Sequence, residues 1–245
     1  MSYQLLGFNN PKTKKGEEVS NYLTAIMNLL PDDLADEQTN RDTLRTVCAY
    51  AKIAGCREAC LNTAGRGGII KKGETTNVIQ EARKRKTKLF LDARDIFMEY
   101  LIADITKFVK YCEKKSKLPC VRLNGTSDIQ WETIQVNGQN IFEMFPDVQF
   151  YDYTKIPTRK VEHISNYHLT WSYSEANMKY ANWFDKIAYN IAVVFNGDMP
   201  IHFKGREVVN GDETDLRFLA KQNVIVGLKA KGKARHDMSG FVIHV

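Results

Sequence analysis

The segment CAYAKIAGCREAC carries Cys48, Cys56 and Cys60, three of the five cysteines in the chain. Thiolates are soft donors suited to zinc and to iron–sulfur clusters. Three of them leave one position open. On a cubane cluster that open iron could take a nucleoside cofactor such as S-adenosylmethionine. On zinc a fourth ligand is needed, and Cys112, Cys120 or a histidine could supply it. The plainer reading is that these are small buried apolar side chains, as free cysteines often are. TAGRGG at 63–68 follows directly. It reads as an anion-binding turn of backbone N–H groups or as a flexible turn; it lacks the Lys-Ser/Thr of a P-loop.

A second group of reactive residue types sits just after short apolar runs. Asp128 lies in NGTSDIQWE, Asp152 in YDYTK, Glu175 in WSYSEAN and Asp198 in NGD, while Asp212 and Asp215 lie in NGDETDLRFL. A pair of carboxylates can serve as nucleophile and acid/base. Polar residues also end strands simply as turn formers.

The elements that would position these groups follow from periodicity. Residues 77–93 and 95–115 read as helices. In the second, Ile96, Phe97, Tyr100, Leu101, Ile105, Phe108 and Val109 recur at helical spacing. Residues 19–30 are apolar enough for a strand or a helix. After Pro119 come short runs at 120–123, 148–153, 167–172, 191–195, 199–203, 224–228 and 241–245, several separated by helix-length stretches such as 175–190. Strands alternating with helices predict an α/β fold with a largely parallel sheet. The expected architecture is a TIM-like (β/α) barrel, possibly incomplete, in one domain spanning 1–245, with 1–18 as a loose N-terminal arm; an open doubly wound sheet is the alternative. Both place ligand sites at the C-terminal ends of strands.

The 245 residues are 43% hydrophobic and 26% charged, which fits a globular chain and excludes a disordered or fibrous one. No apolar run approaches the roughly 18 residues that span a bilayer, so no membrane partner is expected. No apolar signal core opens the chain and the cysteine count is odd, so a cytoplasmic protein is expected. Lys and Arg number 35 against 29 Asp and Glu, a net charge of +6. That moderate excess is compatible with a nucleic-acid partner. Arg66, Arg83, Arg85 and Lys86, with Lys229, Lys231, Lys233 and Arg235, form the candidate phosphate-contacting set. Trp131, Tyr151 and Trp171 are candidates to stack on an extruded base, with Asn124 reading its edge. His168 and His202, in apolar strands, read as satisfied core imidazoles.

Taken together, CREACLNTAGRG, RLNGTSDIQWE, FYDYTK, YHLTWSYSEAN and NGDETDLRFL…VIVGLKAKGKA resemble a group of bacteriophage-encoded proteins over roughly residues 45–245. The group looks like phage DNA guanine transglycosylases, which are similar to tRNA-guanine transglycosylase. That resemblance implies a TIM-like barrel that exchanges guanine in DNA for a 7-deazaguanine, in the host cell cytoplasm. The chemistry asks for a carboxylate nucleophile and a second acid/base. Asp152 with Asp128 is the first choice, Asp212 and Asp215 follow, and Glu175 completes the set. The sequence lacks the DSGGFQ-type segment and the C-terminal zinc-binding cysteines of the tRNA enzyme, so these roles rest on chemistry and position. Two alternatives stand beside it. One is a radical S-adenosylmethionine-like iron–sulfur enzyme, whose usual cysteine spacing differs from the one here. The other is a basic DNA-binding protein with a structural metal.

Overall fold

The computed structural model describes residues 4–8, 11–35 and 45–245. The sheet begins with β1 (Leu6–Gly7), followed by helix α1 (Pro11–Val19) and β2 (Tyr22–Met27). Helices α2 (Val78–Asp92) and α3 (Arg94–Lys114) precede β3 (Leu118–Arg122). A small antiparallel hairpin, β4 (Gln135–Val136) and β5 (Gln139–Asn140), leads into α4 (Ile141–Met144). Then come β6 (Gln149–Thr154), β7 (Tyr167–Ser172), α5 (Met178–Ala181), β8 (Ile191–Asn196), β9 (His202–Phe203), β10 (Arg206–Asn210), β11 (Ile225–Lys229) and β12 (Val242–His244).

The main sheet runs in the order β1-β2-β3-β6-β7-β8-β11-β10-β9. Strands β2, β3, β6, β7, β8, β11 and β10 are parallel; β1 and β9 pair antiparallel at the two edges. Strand β8 is shared on one side: β7 pairs only with its start, at Ile191 and Ala192, and β12 takes over from Val194 to Asn196. The expected mixed α/β class with a largely parallel sheet is present. A closed barrel is not: among the described residues no pairing joins the β1 edge to the β9 edge. Most crossovers beyond β3 lack a full helix, and the stretch 175–190 forms only α5 and a 3₁₀ turn at Phe184–Lys186. An outer ring of helices therefore cannot form around the sheet.

The periodic faces of α2 and α3 explain one side of the sheet. Asn77 caps α2 by accepting hydrogen bonds from the N–H groups of Ile79 (3.0 Å) and Gln80 (2.9 Å). In α3 Asp95 lies in the first turn and Lys114 in the last, where each complements the helix dipole. Phe97, Met98, Leu101, Ile105 and Phe108 are buried against Leu23, Ala25, Met27, Val121, Phe150 and Leu169. The N-terminal segment is not a loose arm over its described residues. Leu5 and Leu6 are buried, and the Asp104 carboxylate on α3 accepts from both of their N–H groups, at 2.6 and 3.2 Å. Gly16 of α1 packs against Leu216 on the opposite side of the sheet.

The helix-side core closes on an aromatic group: Phe97 lies 5.2 Å from Phe90 edge-on and 6.3 Å from Trp131 in a stacked arrangement. Phe97→Ala should cost about 3–5 kcal/mol, read as a lower urea midpoint with the far-ultraviolet spectrum of the folded protein retained.

Candidate functional site

At the C-terminal edge of the sheet, the segments that follow β2, β3, β6 and β7 meet the cysteine segment, which crosses over them. After β2, Asp32 and Asp33 are buried and held by Arg57, whose Nε lies 3.2 Å from Asp32 and whose Nη2 lies 2.7 Å from Asp33. The Asp32 carbonyl accepts from Val47 N–H at 3.1 Å. After β3, Asp128 N–H donates to the Val47 carbonyl at 2.8 Å, forming an isolated parallel bridge between Asp128 and Cys48. Ser174, after β7, donates to the Ala54 carbonyl at 2.7 Å. The cysteine segment is thus fastened to three strand ends.

Cys48, Cys56 and Cys60 are half-buried free thiols. Burial pushes all three up, Cys60 to about 11. Two of them also respond to a neighbour: Cys56 and Cys60 raise Cys48, and Cys56 raises Cys60. Opposing this, a backbone N–H from Asp32 favours the Cys48 thiolate, Lys155 favours that of Cys56, and Arg83 that of Cys60. Lys155, at the end of β6, is itself buried. Desolvation lowers it to about 8, against the pull of Cys56, Asp128 and Asp237. Its Nζ donates to the Tyr173 carbonyl at 3.2 Å and sits 4.2 Å above the Phe241 ring. Among the described residues no three His, Cys, Asp or Glu side chains are arranged to share one metal ion.

The carboxylates of the sequence-derived set lie in separate surroundings. Asp152 is buried on the helix side of the sheet, where its oxygens accept from Asn124 N–H (2.7 Å), the Asn124 amide (3.2 Å) and the Tyr167 hydroxyl (3.1 Å). Burial nevertheless lifts it to about 7, against these donors and the charges of Arg122 and Arg159. Asp128 accepts from Thr154 Oγ1 (2.8 Å) and Lys155 N–H (2.6 Å), and lies 3.5 Å from Arg159 Nη1. Burial raises it too. The pair is therefore one buried network rather than an exposed nucleophile with its partner. Asp215 lies on the other side of the sheet, accepting from Arg122 (2.8 Å) and the Tyr151 hydroxyl (3.0 Å). Asp212 accepts from Lys229 N–H at 2.9 Å and pairs with Lys231. Glu175 is exposed, accepting from Tyr173 at 2.9 Å and lying 3.4 Å from Lys204.

The candidate base-binding residues are interior. Trp131 packs on Phe90 and Phe97, Trp171 on Tyr173 and Tyr180, and Tyr151 beside Phe218. Asn124 accepts from Ser127, Ile129 N–H and the Trp131 indole. None presents a free ring face or amide edge to solvent, because each completes a core. The basic set divides. Arg83 donates to the Asn62 side chain at 2.6 Å and Lys86 to the Leu5 carbonyl at 2.7 Å, so both turn inward. Arg66, Arg85, Lys229, Lys231, Lys233 and Arg235 are exposed. The turns at Leu61–Thr63 and Gly232–His236 touch, which brings the segments of Arg66, Lys233 and Arg235 to the same edge as the thiols. Sequence reasoning missed Asp32, Asp33 and Lys155, whereas Arg159 was expected near the site. The only signal for them was position, just beyond an apolar run.

An open, largely parallel α/β sheet with a thiol- and lysine-bearing loop cluster at its carboxyl edge defines the class of the molecule. The chain belongs to the gene product 88 family, whose description matches residues 4–245, and this places it among phage-encoded proteins. No curated protein and no solved structure matches it. Among the described residues no helix is long and apolar enough to cross a membrane.

The lifted carboxyl of Asp152 has a consequence for stability. A group whose folded pKa lies above its unfolded value of about 3.9 binds more protons when folded. Stability should therefore fall as pH rises from about 4 to 7, to the extent that Asp152 ionises. Urea midpoints across that range check this, and Asp152→Asn should flatten the profile while lowering stability throughout, because its amide faces donors.

Proposed function

We propose that Cys48, Cys56 and Cys60 hold an iron–sulfur cluster and that the protein is a cluster-dependent enzyme acting on nucleic acid. The carrying observation is the placement of the three thiols. They lie in one segment at the carboxyl edge of a parallel sheet, within electrostatic reach of each other and of two cations, Lys155 and Arg83. Open α/β sheets bind ligands in this position. Soft sulfur donors suit iron–sulfur clusters, and nearby cations would offset the negative charge that thiolates and cluster bring. A cluster also suits thiols that do not converge on one ion. With three protein thiolates, one iron of a cubane cluster would be left for S-adenosylmethionine, which supplies radical chemistry when bound there. The exposed Arg66, Lys233 and Arg235 near this edge support a phosphate-bearing substrate.

Exchange of guanine in DNA for a 7-deazaguanine has less support. Asp152 and Asp128 are buried with their oxygens engaged, and Trp131, Tyr151 and Trp171 line cores. A zinc-bearing DNA-binding protein would use the same thiols but would require them to meet around one ion.

Anaerobic reconstitution of the full chain with iron and sulfide should give a brown protein with the visible iron–sulfur absorption. Cys48→Ala, Cys56→Ala and Cys60→Ala should each lose most of that absorption and of the bound iron, while Cys112→Ala retains both. A colourless protein with stoichiometric zinc, or absorption that survives all three substitutions, overturns the reading.

A further inference from the structure

The side of the sheet away from α2 and α3 carries a second polar group that the thiol site does not use. Side chains alternate along strands, so Arg122 of β3, Tyr151 and Tyr153 of β6, and His168 and Thr170 of β7 share this face. The parallel register sets Tyr151 beside His168 and Tyr153 beside Thr170. The segment that follows β10 lies over them. Its Asp215 binds Arg122 (2.8 Å) and Tyr151 (3.0 Å), and the turn at Arg217–Leu219 packs on β7.

Five polar atoms buried in this layer have no partner in the protein: Arg122 Nε, Arg217 Nε, Tyr153 Oη, His168 Nε2 and Thr170 Oγ1. Thr170 is 0% exposed, Arg217 2% and Arg122 4%. Buried polar groups are nearly always hydrogen-bonded, and an unpartnered one costs the full loss of its hydration. Of the eleven such atoms among the described residues, these five come from three neighbouring strands and their covering segment and form a set. His168 is therefore not the satisfied core imidazole that its apolar strand suggests. The charges in the layer are the Arg122 and Arg217 guanidiniums and the Asp215 carboxylate, an excess of one positive charge. Burial and the Arg217 charge hold His168 neutral, so its ring can donate or accept without adding to that excess. Tyr153 and His168 are only half-buried, which puts the open side of the set at β6 and β7.

We propose that this face binds a small oxyanion, the carboxylate or phosphate group of a small molecule, between Arg122, Arg217, Tyr153, His168 and Thr170. Guanidinium N–H groups and hydroxyls are the donors that planar or tetrahedral oxyanions accept from, and one net positive charge matches one anionic group. The proposal does not depend on what Cys48, Cys56 and Cys60 hold.

Inorganic phosphate and acetate, titrated against chloride at matched ionic strength, test it on the full chain by thermal unfolding and calorimetry. One of them should raise the midpoint saturably and shift the ring nitrogen resonances of His168; which one acts tells phosphate from carboxylate. Thr170→Val keeps shape and removes one donor. Without anion it should unfold at the same or a higher temperature, and it should bind about tenfold more weakly, the effect of one lost hydrogen bond to a charged group. Arg217→Gln should weaken binding further, while Lys107→Gln on the exposed face of α3 leaves it unchanged. No saturable effect of either anion on the wild-type chain overturns the proposal. So does an effect that persists in Thr170→Val and Arg217→Gln but vanishes in Arg235→Gln on the exposed edge. Stabilisation by a single-stranded oligonucleotide and by neither small anion would assign the face to nucleic acid instead.

Discussion

The carboxyl edge of the sheet depends on one buried chain of polar contacts. Asn124 bonds Asp152, Asp152 bonds Tyr167, and Tyr167 accepts from Arg159 at 2.9 Å. Arg159 grips Glu132 through two nitrogens, at 2.9 and 2.6 Å, and reaches Asp128, which binds Thr154 and Lys155. Links from β3, β6, β7 and their following loops close on one another. In a low-dielectric interior such a network is strong only when all its members are paired, and losing one partner strands a charge. Because Asp128 N–H also anchors Val47, the buried carboxylate network helps to place the cysteine segment.

The sheet then divides the molecule by polarity. One side is apolar except for the buried Asp152 network, and is covered by α2, α3 and the segment around α5, with Phe150, Leu169, Trp171, Val193 and Phe195 facing it. The other side holds Arg122, Tyr153, His168 and Thr170 under a short irregular segment rather than a helix. Strand β12 contributes at the seam. By taking the second half of β8 where β7 leaves it, β12 brings Phe241 over Lys155 and places the Gly240 carbonyl against Glu175 N–H at 2.8 Å. The last residues of the chain thus complete the edge that the first parallel strand begins.

What could be read from the sequence was what local pattern determines. The residues of α3 repeat at helical spacing, and that helix runs from Arg94 to Lys114 as the spacing predicts. The run at 167–172 is a strand with those bounds, and 19–30 resolves to the strand Tyr22–Met27, because its residues pair with β3 on one side and β1 on the other. What could not be read was which side of a strand a polar residue takes and whether anything there meets it. Asp152 and Tyr153 are neighbours on opposite faces, the first bound by three donors and the second with its hydroxyl unpartnered. Arg83 and Lys86 read as part of a phosphate-contacting set, yet they tie Asn62 and Leu5 into the fold while Arg85 stays outside. Aromatic residues suffer the same ambiguity, since a ring that could stack on a base is chemically identical to one that fills a core.

The difference between one metal ion and a cluster is finally a question of distance. Four ligands about 2.3 Å from a tetrahedral zinc stand about 3.8 Å apart. The three thiols span thirteen residues of a loop pinned at Val47 and Ala54. A cluster relaxes the demand for that spacing, because each thiolate binds a different iron and the sulfurs stand farther apart. In the proposed reading, the segment would hold a cluster while keeping its ties to the strand ends. The same fastening keeps Cys56 within reach of Lys155 and Cys60 within reach of Arg83, whose charges would offset that of the proposed cluster.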